Sequence, residues 1–228
     1  MISFAEKIIK FNRAIDFRGS LPSGIRVMNP FRENPEILPV SSAFYRKFYN
    51  DNNPRRLILG INPGRLGAGA TGIPFTDTKR LSGICDIEIE SIKTHEPSSV
   101  FVYDLIERYG GPELFYSDFF ISSFCPLGFV RRNTKGNWVN CNYYDYEYLY
   151  IAVEHFMIAS LREQIDFGID TEVCYILGRK NGKYIDRINA REKLFGSVIV
   201  LDHPRYIEQY RSKDRDEYLT GYLKLLKE

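Results

Sequence analysis

The sequence predicts an α/β fold: a three-layer α/β/α sandwich around a central four-stranded, mostly parallel sheet. Three observations carry that expectation. Four short apolar runs, at 55–61, 119–124, 173–177 and 198–201, each stop at a Gly, a Pro or a polar break. Long stretches with apolar residues at helical spacing separate them, and connections of that length suit crossovers between parallel strands, not hairpins. The chain has 228 residues, 44% hydrophobic and 26% charged, which is enough to bury a core without cross-links and too apolar for a disordered chain. One domain over residues 1–228 is expected, since no linker composition divides it.

The elements follow in order. Over 3–17, Phe4, Ile8, Ile9, Phe11 and Ile15 fall at roughly helical spacing. A Gly- and Pro-containing connector is expected over 18–39, then a helix over 40–49 with Phe44, Tyr45 and Phe48 on one face. The run 55–61, bounded by Pro54 and Pro63, has the length and composition of a buried strand. From 62 to 74 the chain reads as a long glycine-dense loop. Val100, Phe101, Tyr103, Leu105 and Ile106 mark a helix over 98–109. The second strand, 119–124, is stopped by Pro126, and 131–144 reads as a polar loop around the lone Trp138. The longest helical pattern covers 145–165. A third strand, 173–177, ends at Gly178; 184–194 is helical; 198–201 is the fourth strand; and 207–226 is a helical tail.

Several function classes recede on composition. No run approaches the ~18 apolar residues of a membrane span, and no leader pattern opens the chain. Cys85, Cys125, Cys141 and Cys174 form no C-x-x-C pair, which argues against zinc or an iron–sulfur cluster and for reduced thiols in a cytoplasmic protein. Lys+Arg 31 against Asp+Glu 29 gives a formal charge of +2, so a polyanion would have to be bound by local patches. A monomer without metal or organic cofactor is the expectation.

In open parallel sheets, ligands bind beyond the carboxyl ends of the strands. The segments from Asn62 onward, 122–127, 178–180 and 203–206 are therefore expected to meet in one cleft. The strongest signal among them is Gly60-Ile-Asn-Pro-Gly-Arg-Leu-Gly-Ala-Gly-Ala-Thr-Gly-Ile-Pro-Phe75. It contains a literal G-x-G-x-x-G, Gly67 to Gly72, which raises a nucleotide-cofactor reading. That fingerprint must follow a strand directly and open a helix. Here Pro63 intervenes before it and Pro74 follows it, so no helix is expected to receive a pyrophosphate.

Gly60-Ile-Asn-Pro-Gly64 together with Thr71-Gly-Ile-Pro-Phe75 resembles the first motif of the uracil-DNA glycosylase superfamily, most nearly its single-strand-selective monofunctional members. Cys125-Pro126-Leu127 resembles the middle motif, and His203-Pro204 the start of the second catalytic motif. Val27-Met-Asn-Pro30 is a weaker echo, and the likeness extends loosely over 27–225. It implies a monofunctional glycosylase acting on DNA that contains uracil or a related damaged base. A catalytically silent nucleic-acid-binding relative is the remaining alternative, since fold alone does not ensure activity.

The chemistry suits those residue types. Breaking an N-glycosidic bond passes through an oxocarbenium-like sugar, which needs a placed water more than a strong base. The amide of Asn62, held by Pro63, would orient that water. His203 would donate to the charge growing on the 2-carbonyl oxygen of the leaving base, a contact worth ~3–4 kcal/mol by analogy with oxyanion holes. Phe75 would stack on the flipped base, and Gly64 would leave room near the pyrimidine 5-position.

Two departures from the family pattern matter. Ser123 stands where an Asn would read the base edge, so selection is expected to be looser or shared by Ser122, Ser123 and backbone. Arg205-Tyr206 replaces the Ser-Pro that continues the last motif, and both are candidates to press into the DNA stack. Arg65, Arg179 and Lys180 complete the expected DNA-binding set, with Arg55-Arg56, Lys79-Arg80 and Arg131-Arg132 as further basic pairs near strand ends. Asp202, beside His203, is a candidate to orient it. Blander roles stand beside these: Asn62 as a turn residue, Phe75 as core, His203 as a helix cap, and His95 and His155 as structural or surface residues.

Overall fold

The computed structural model describes residues 2–228. In chain order it contains α1 (Phe4–Ala14), β1 (Ile25–Met28), α2 (Pro30–Glu33), α3 (Ile37–Phe48), β2 (Arg55–Gly60), α4 (Ala68–Thr71), α5 (Thr78–Gly83), α6 (Pro97–Tyr109), α7 (Pro112–Asp118) and β3 (Phe119–Ser123). These are followed by β4 (Gly128–Arg132), β5 (Trp138–Cys141), α8 (Glu147–Ile165), β6 (Ile169–Leu177), α9 (Arg179–Glu192), β7 (Ser197–Leu201), α10 (Pro204–Tyr210) and α11 (Arg215–Lys227).

The four apolar runs form one parallel sheet of order β3-β2-β6-β7, flanked by helices. Leu57, Ile58 and Leu59 at its centre are buried on both faces, which is why β2 reads as a continuous apolar run without alternation. The connection from β2 to β3 crosses the sheet one way and that from β6 to β7 the other. Right-handed crossovers then put their helices on opposite faces, and the reversal falls between β2 and β6. That places a ligand site at the carboxyl end of β2.

The basic pair at the other end of β2 belongs to the core. Arg55 is fully buried, with Nη1 and Nη2 each 2.8 Å from Asp51 and Nε donating to the Tyr116 carbonyl at 2.7 Å. Its guanidinium lies 4.8 Å from the Phe4 ring centroid and 4.9 Å from that of Tyr49. Arg56 donates to Tyr175 and to the Leu226 carbonyl. Neither Arg55 nor Arg56 is near the carboxyl edge, contrary to their expected place among basic pairs near DNA.

Three further corrections concern elements. The stretches 18–39 and 131–144 are not plain connectors, because they contribute to an antiparallel sheet of order β1-β4-β5. Phe129 and Cys141 on one face of that sheet join the main core, with Ile25 and Val27 packed against it. The hairpin turns at Asn133, whose Oδ1 accepts from the N–H groups of Lys135 and Asn137, and at Gly136, with φ 78°. The expected tail helix is broken into α10 and α11 by a 3-10 turn at Ser212–Asp214, which lets both pieces pack on α6. Finally, the Gly-rich loop contains a single helical turn, α4, ended by Gly72 at φ 71°.

Among the described residues, no helix is long and apolar enough to cross a membrane.

Candidate active site

Beyond the carboxyl end of β2 lies a cleft of about 730 Å³. Asn62, Pro63, Gly64, Arg65, Phe75, Ser123, His203, Arg205 and Tyr206 all line it. Ser122, Arg179 and Lys180 do not.

Asn62 is held from two directions. Pairing continues one step past the sheet, with Phe124 N–H donating to the Gly60 carbonyl and Cys125 N–H to that of Ile61, both at 3.0 Å. The Asn62 Nδ2 donates to the carbonyls of Cys141 and Pro63, each at 3.3 Å, and its Oδ1 accepts from Tyr143 N–H at 3.1 Å. An amide oxygen has two lone pairs, so Oδ1 keeps one for a water. Tyr143 is itself fixed: its hydroxyl donates to Asn181 Oδ1 at 2.7 Å. Asn181, fully buried, donates in turn to the Gly60 carbonyl at 3.2 Å and that of Leu177 at 3.3 Å. The end of β2, the end of β6 and the loop after β5 are thereby tied together beneath the cleft.

Phe75 arrives on the loop 71–77. The buried hydroxyl of Thr71 donates to the Thr76 carbonyl at 2.6 Å and accepts from Ile73 N–H at 3.2 Å, winding the loop on itself. Phe75 takes φ 53°, a left-handed conformation uncommon for a bulky residue and found where surrounding structure imposes it. Its ring packs on Gly60, where a Cβ would come within 2.9 Å of Cε2.

His203 caps α10, with Pro204 at the first helical position. Its Nδ1 accepts from Arg205 N–H at 3.1 Å, so in the neutral ring the proton belongs on Nε2. Burial, then the neighbouring Arg205 guanidinium, push its pKa down to about 4. At neutral pH this is an uncharged imidazole with one donor. Its ring centroid is 5.7 Å from that of Phe75, at an interplanar angle of 45°. Asp202 does not orient it: both carboxylate oxygens are taken by Arg179, at 2.7 and 3.0 Å.

The pair Ser122 and Ser123 separates because successive strand residues point to opposite faces. Ser123 faces the cleft, while Ser122 donates to the buried Gln164 Oε1 on the other side of β3. Contrary to the expectation that both hydroxyls share the site, only that of Ser123 borders the cleft. Arg179 is neutralised by Asp202, and Lys180 Nζ sits 4.6 Å from the Tyr144 ring centroid. Both stand beyond β6, outside the cleft.

Asn140 and Glu96 also line the cleft, outside the expected set. Asn140 reaches it on β5, its Oδ1 accepting from Arg65 N–H at 3.1 Å. Glu96 enters from the N-terminus of α6, where its N–H donates to the buried Asp77 at 2.7 Å. Burial, then Asp77, push the Glu96 carboxyl up to about 7, with Arg205 opposing. A Cβ at Gly67 would strike Glu96 Oε2, so the start of α4 meets a carboxylate and is no cradle for a phosphate. Among the described residues, no group of three His, Cys, Asp or Glu side chains converges as a metal-ligand set.

An amide fixed at the first strand end, a neutral imidazole after the last, and an aromatic ring packed between sheet and imidazole thus share one cleft. The chain belongs to the uracil DNA glycosylase superfamily, whose family model matches residues 46–227. It is similar to the wild-type SMUG2 of Pedobacter heparinus, a solved structure 48% identical to it, with a TM-score of 0.97 over 100% of this chain and 98% of that one. No curated protein matches it.

Proposed function

We propose that this protein is a monofunctional DNA glycosylase that draws uracil, or a related damaged base, out of a DNA strand and hydrolyses its N-glycosidic bond. The observation that carries the reading is a neutral His203 with its proton on Nε2, in the same cleft as a hydrogen-bonded Asn62 amide. As the bond between C1′ and the base nitrogen breaks, its electron pair leaves with the base. His203 Nε2–H donates to the oxygen on which that charge collects. Water accepted at Asn62 Oδ1 adds to the sugar cation and loses its proton to solvent.

Hydrolysis without a covalent intermediate is supported by the lining: among the described residues, no Lys borders the cleft, and an amine nucleophile is what strand-cleaving glycosylases require. Phe75 supplies the stacking floor, and Ser123, whose hydroxyl can donate or accept, supports a base range wider than uracil alone. Arg65, Arg205 and Tyr206 on the cleft border support contact with the strand. A reducing, cytoplasmic setting is supported by four buried free thiols. The carboxylate of Glu96 at the start of α4 weighs against a nucleotide cofactor.

Incubation with uracil-containing DNA followed by alkali tests the reading. Alkali-dependent breaks at uracil positions, with an intact strand before alkali, are expected. DNA that stays alkali-resistant, or that breaks without alkali, overturns it.

A further inference from the structure

We propose that the solvent face of the β1-β4-β5 sheet is a second DNA-contact surface, which carries the strand onward from the cleft with Trp138 as a stacking floor and Arg26 and Arg132 as phosphate holders. The inference rests on the glycosylase reading for its partner and extends it to a face that carries neither Asn62 nor His203.

Strand alternation places these residues. Val130 pairs with Arg26 on one side and Asn140 on the other, and Arg132 pairs with Trp138. Side chains of directly paired residues share a face, as do residues two apart along a strand. Arg26, Arg132, Trp138 and Asn140 therefore lie on one face, and Asn140 is where that face enters the cleft. The surface is continuous with the site.

Its charge is unbalanced. The segment 128–141 carries Arg131, Arg132 and Lys135 and no Asp or Glu. Among the described residues, no carboxylate lies within 4.0 Å of the charged groups of Arg26, Arg131, Arg132 or Lys135. Elsewhere, Arg179, Arg191 and Arg215 are each met by acids. Two guanidiniums nevertheless gather at one indole, Arg26 at 5.0 Å and Arg132 at 4.9 Å from the Trp138 centroid. Cation–π attraction offsets their mutual repulsion only in part. An aromatic platform flanked by unpaired cations is the chemistry that recognises a nucleic-acid strand, in which phosphates pair with guanidiniums and a base stacks on the ring.

Trp138 is the sole tryptophan of the chain, so its emission reports this face alone. The probe is a uracil-free single strand of about 12 nucleotides, within the ~4–16 that one such groove spans. Its binding is followed independently by anisotropy of an end label. Bound strand should shift or quench Trp138 emission along the same isotherm. In the Arg26→Gln and Arg132→Gln double variant, which keeps polar side chains over the ring, the slope of log affinity against log salt should fall by about 1.4, ~0.7 for each phosphate released. Excision from a uracil trinucleotide, too short to leave the cleft, should stay unchanged.

Strand binding with Trp138 emission and salt slope unmoved overturns the surface while leaving the glycosylase reading intact. So does a wild type that fails to bind the strand. If uracil is never released but emission and slope respond as expected, the surface stands and the catalytic reading fails.

Discussion

At the residue scale, two ionisable groups in one cleft are displaced in directions that favour their uncharged forms. His203 is lowered from 6.5 to about 4, and Glu96 is raised from 4.5 to about 7. The linkage signs differ. Between about 4 and 6.5 the folded state binds fewer protons at His203 than the unfolded state, so that group's contribution to stability grows as pH rises. Between about 4.5 and 7 the folded state holds its proton at Glu96 more firmly, so stability from that group declines as pH rises and stays low above 7. Glu96→Gln removes the decline, and its melting temperature should exceed that of the wild type by more at about pH 8 than at about pH 5. Above 7 an ionised Glu96 also opposes phosphates near Arg205. DNA affinity should therefore weaken across neutrality in the wild type and stay flatter in Glu96→Gln. Parallel melting curves and titrations at the two pH values check both, and an equal offset at each pH would remove Glu96 from this role.

At the scale of elements, the four parallel strands were legible because each is a compact apolar run bounded by breakers. The small sheet was not, because β1 and β5 are only four residues long and carry polar residues on one face. A signal was present in Asn133 and Gly136, set between Phe129-Val130 and Trp138-Val139, a pattern that fits a hairpin with a longer loop. Overlooking it hid Asn140, Tyr143 and the support of Asn62, which depends on the loop after β5. Asn62 to Arg65, Phe75, Ser123, His203, Arg205 and Tyr206 were nonetheless readable, from strand ends and the motif that follows β2. Alternation alone separates Ser122 from Ser123, whereas the pairing of Arg179 with Asp202 is a tertiary contact that no local pattern announces. The Asn181–Tyr143–Asn62 chain yields its own prediction. Tyr143→Phe leaves the buried Asn181 Oδ1 without its donor, at a cost of ~1–3 kcal/mol in stability. It should also lower the rate of base release. Because that loss acts through Asn62, it should vanish in an Asn62→Ala background. Multiplicative effects in a double-mutant cycle would make Tyr143 a stability residue only.

At the scale of the whole molecule, a formal charge of +2 conceals an uneven surface. Arg55, Arg179 and Arg215, remote from the cleft, are each met by acids, whereas Arg65 and Arg205 border the cleft with no carboxylate within 4.0 Å among the described residues. Arg205→Gln should accordingly weaken DNA binding and flatten its salt dependence, while Arg179→Gln should do neither. Equal losses from both would show that the strand runs past β6 instead. The frame that joins these parts, a parallel sheet ending in a fixed amide and a neutral imidazole, makes base release the account's central claim. The measurement that bears on it most directly is the single-turnover rate of uracil release, at saturating enzyme, by the wild type and by His203→Ala. Loss of a donor aimed at charge that forms only in the transition state should slow release by about 10²–10³-fold with DNA affinity unchanged. Release by His203→Ala at the wild-type rate would contradict the account.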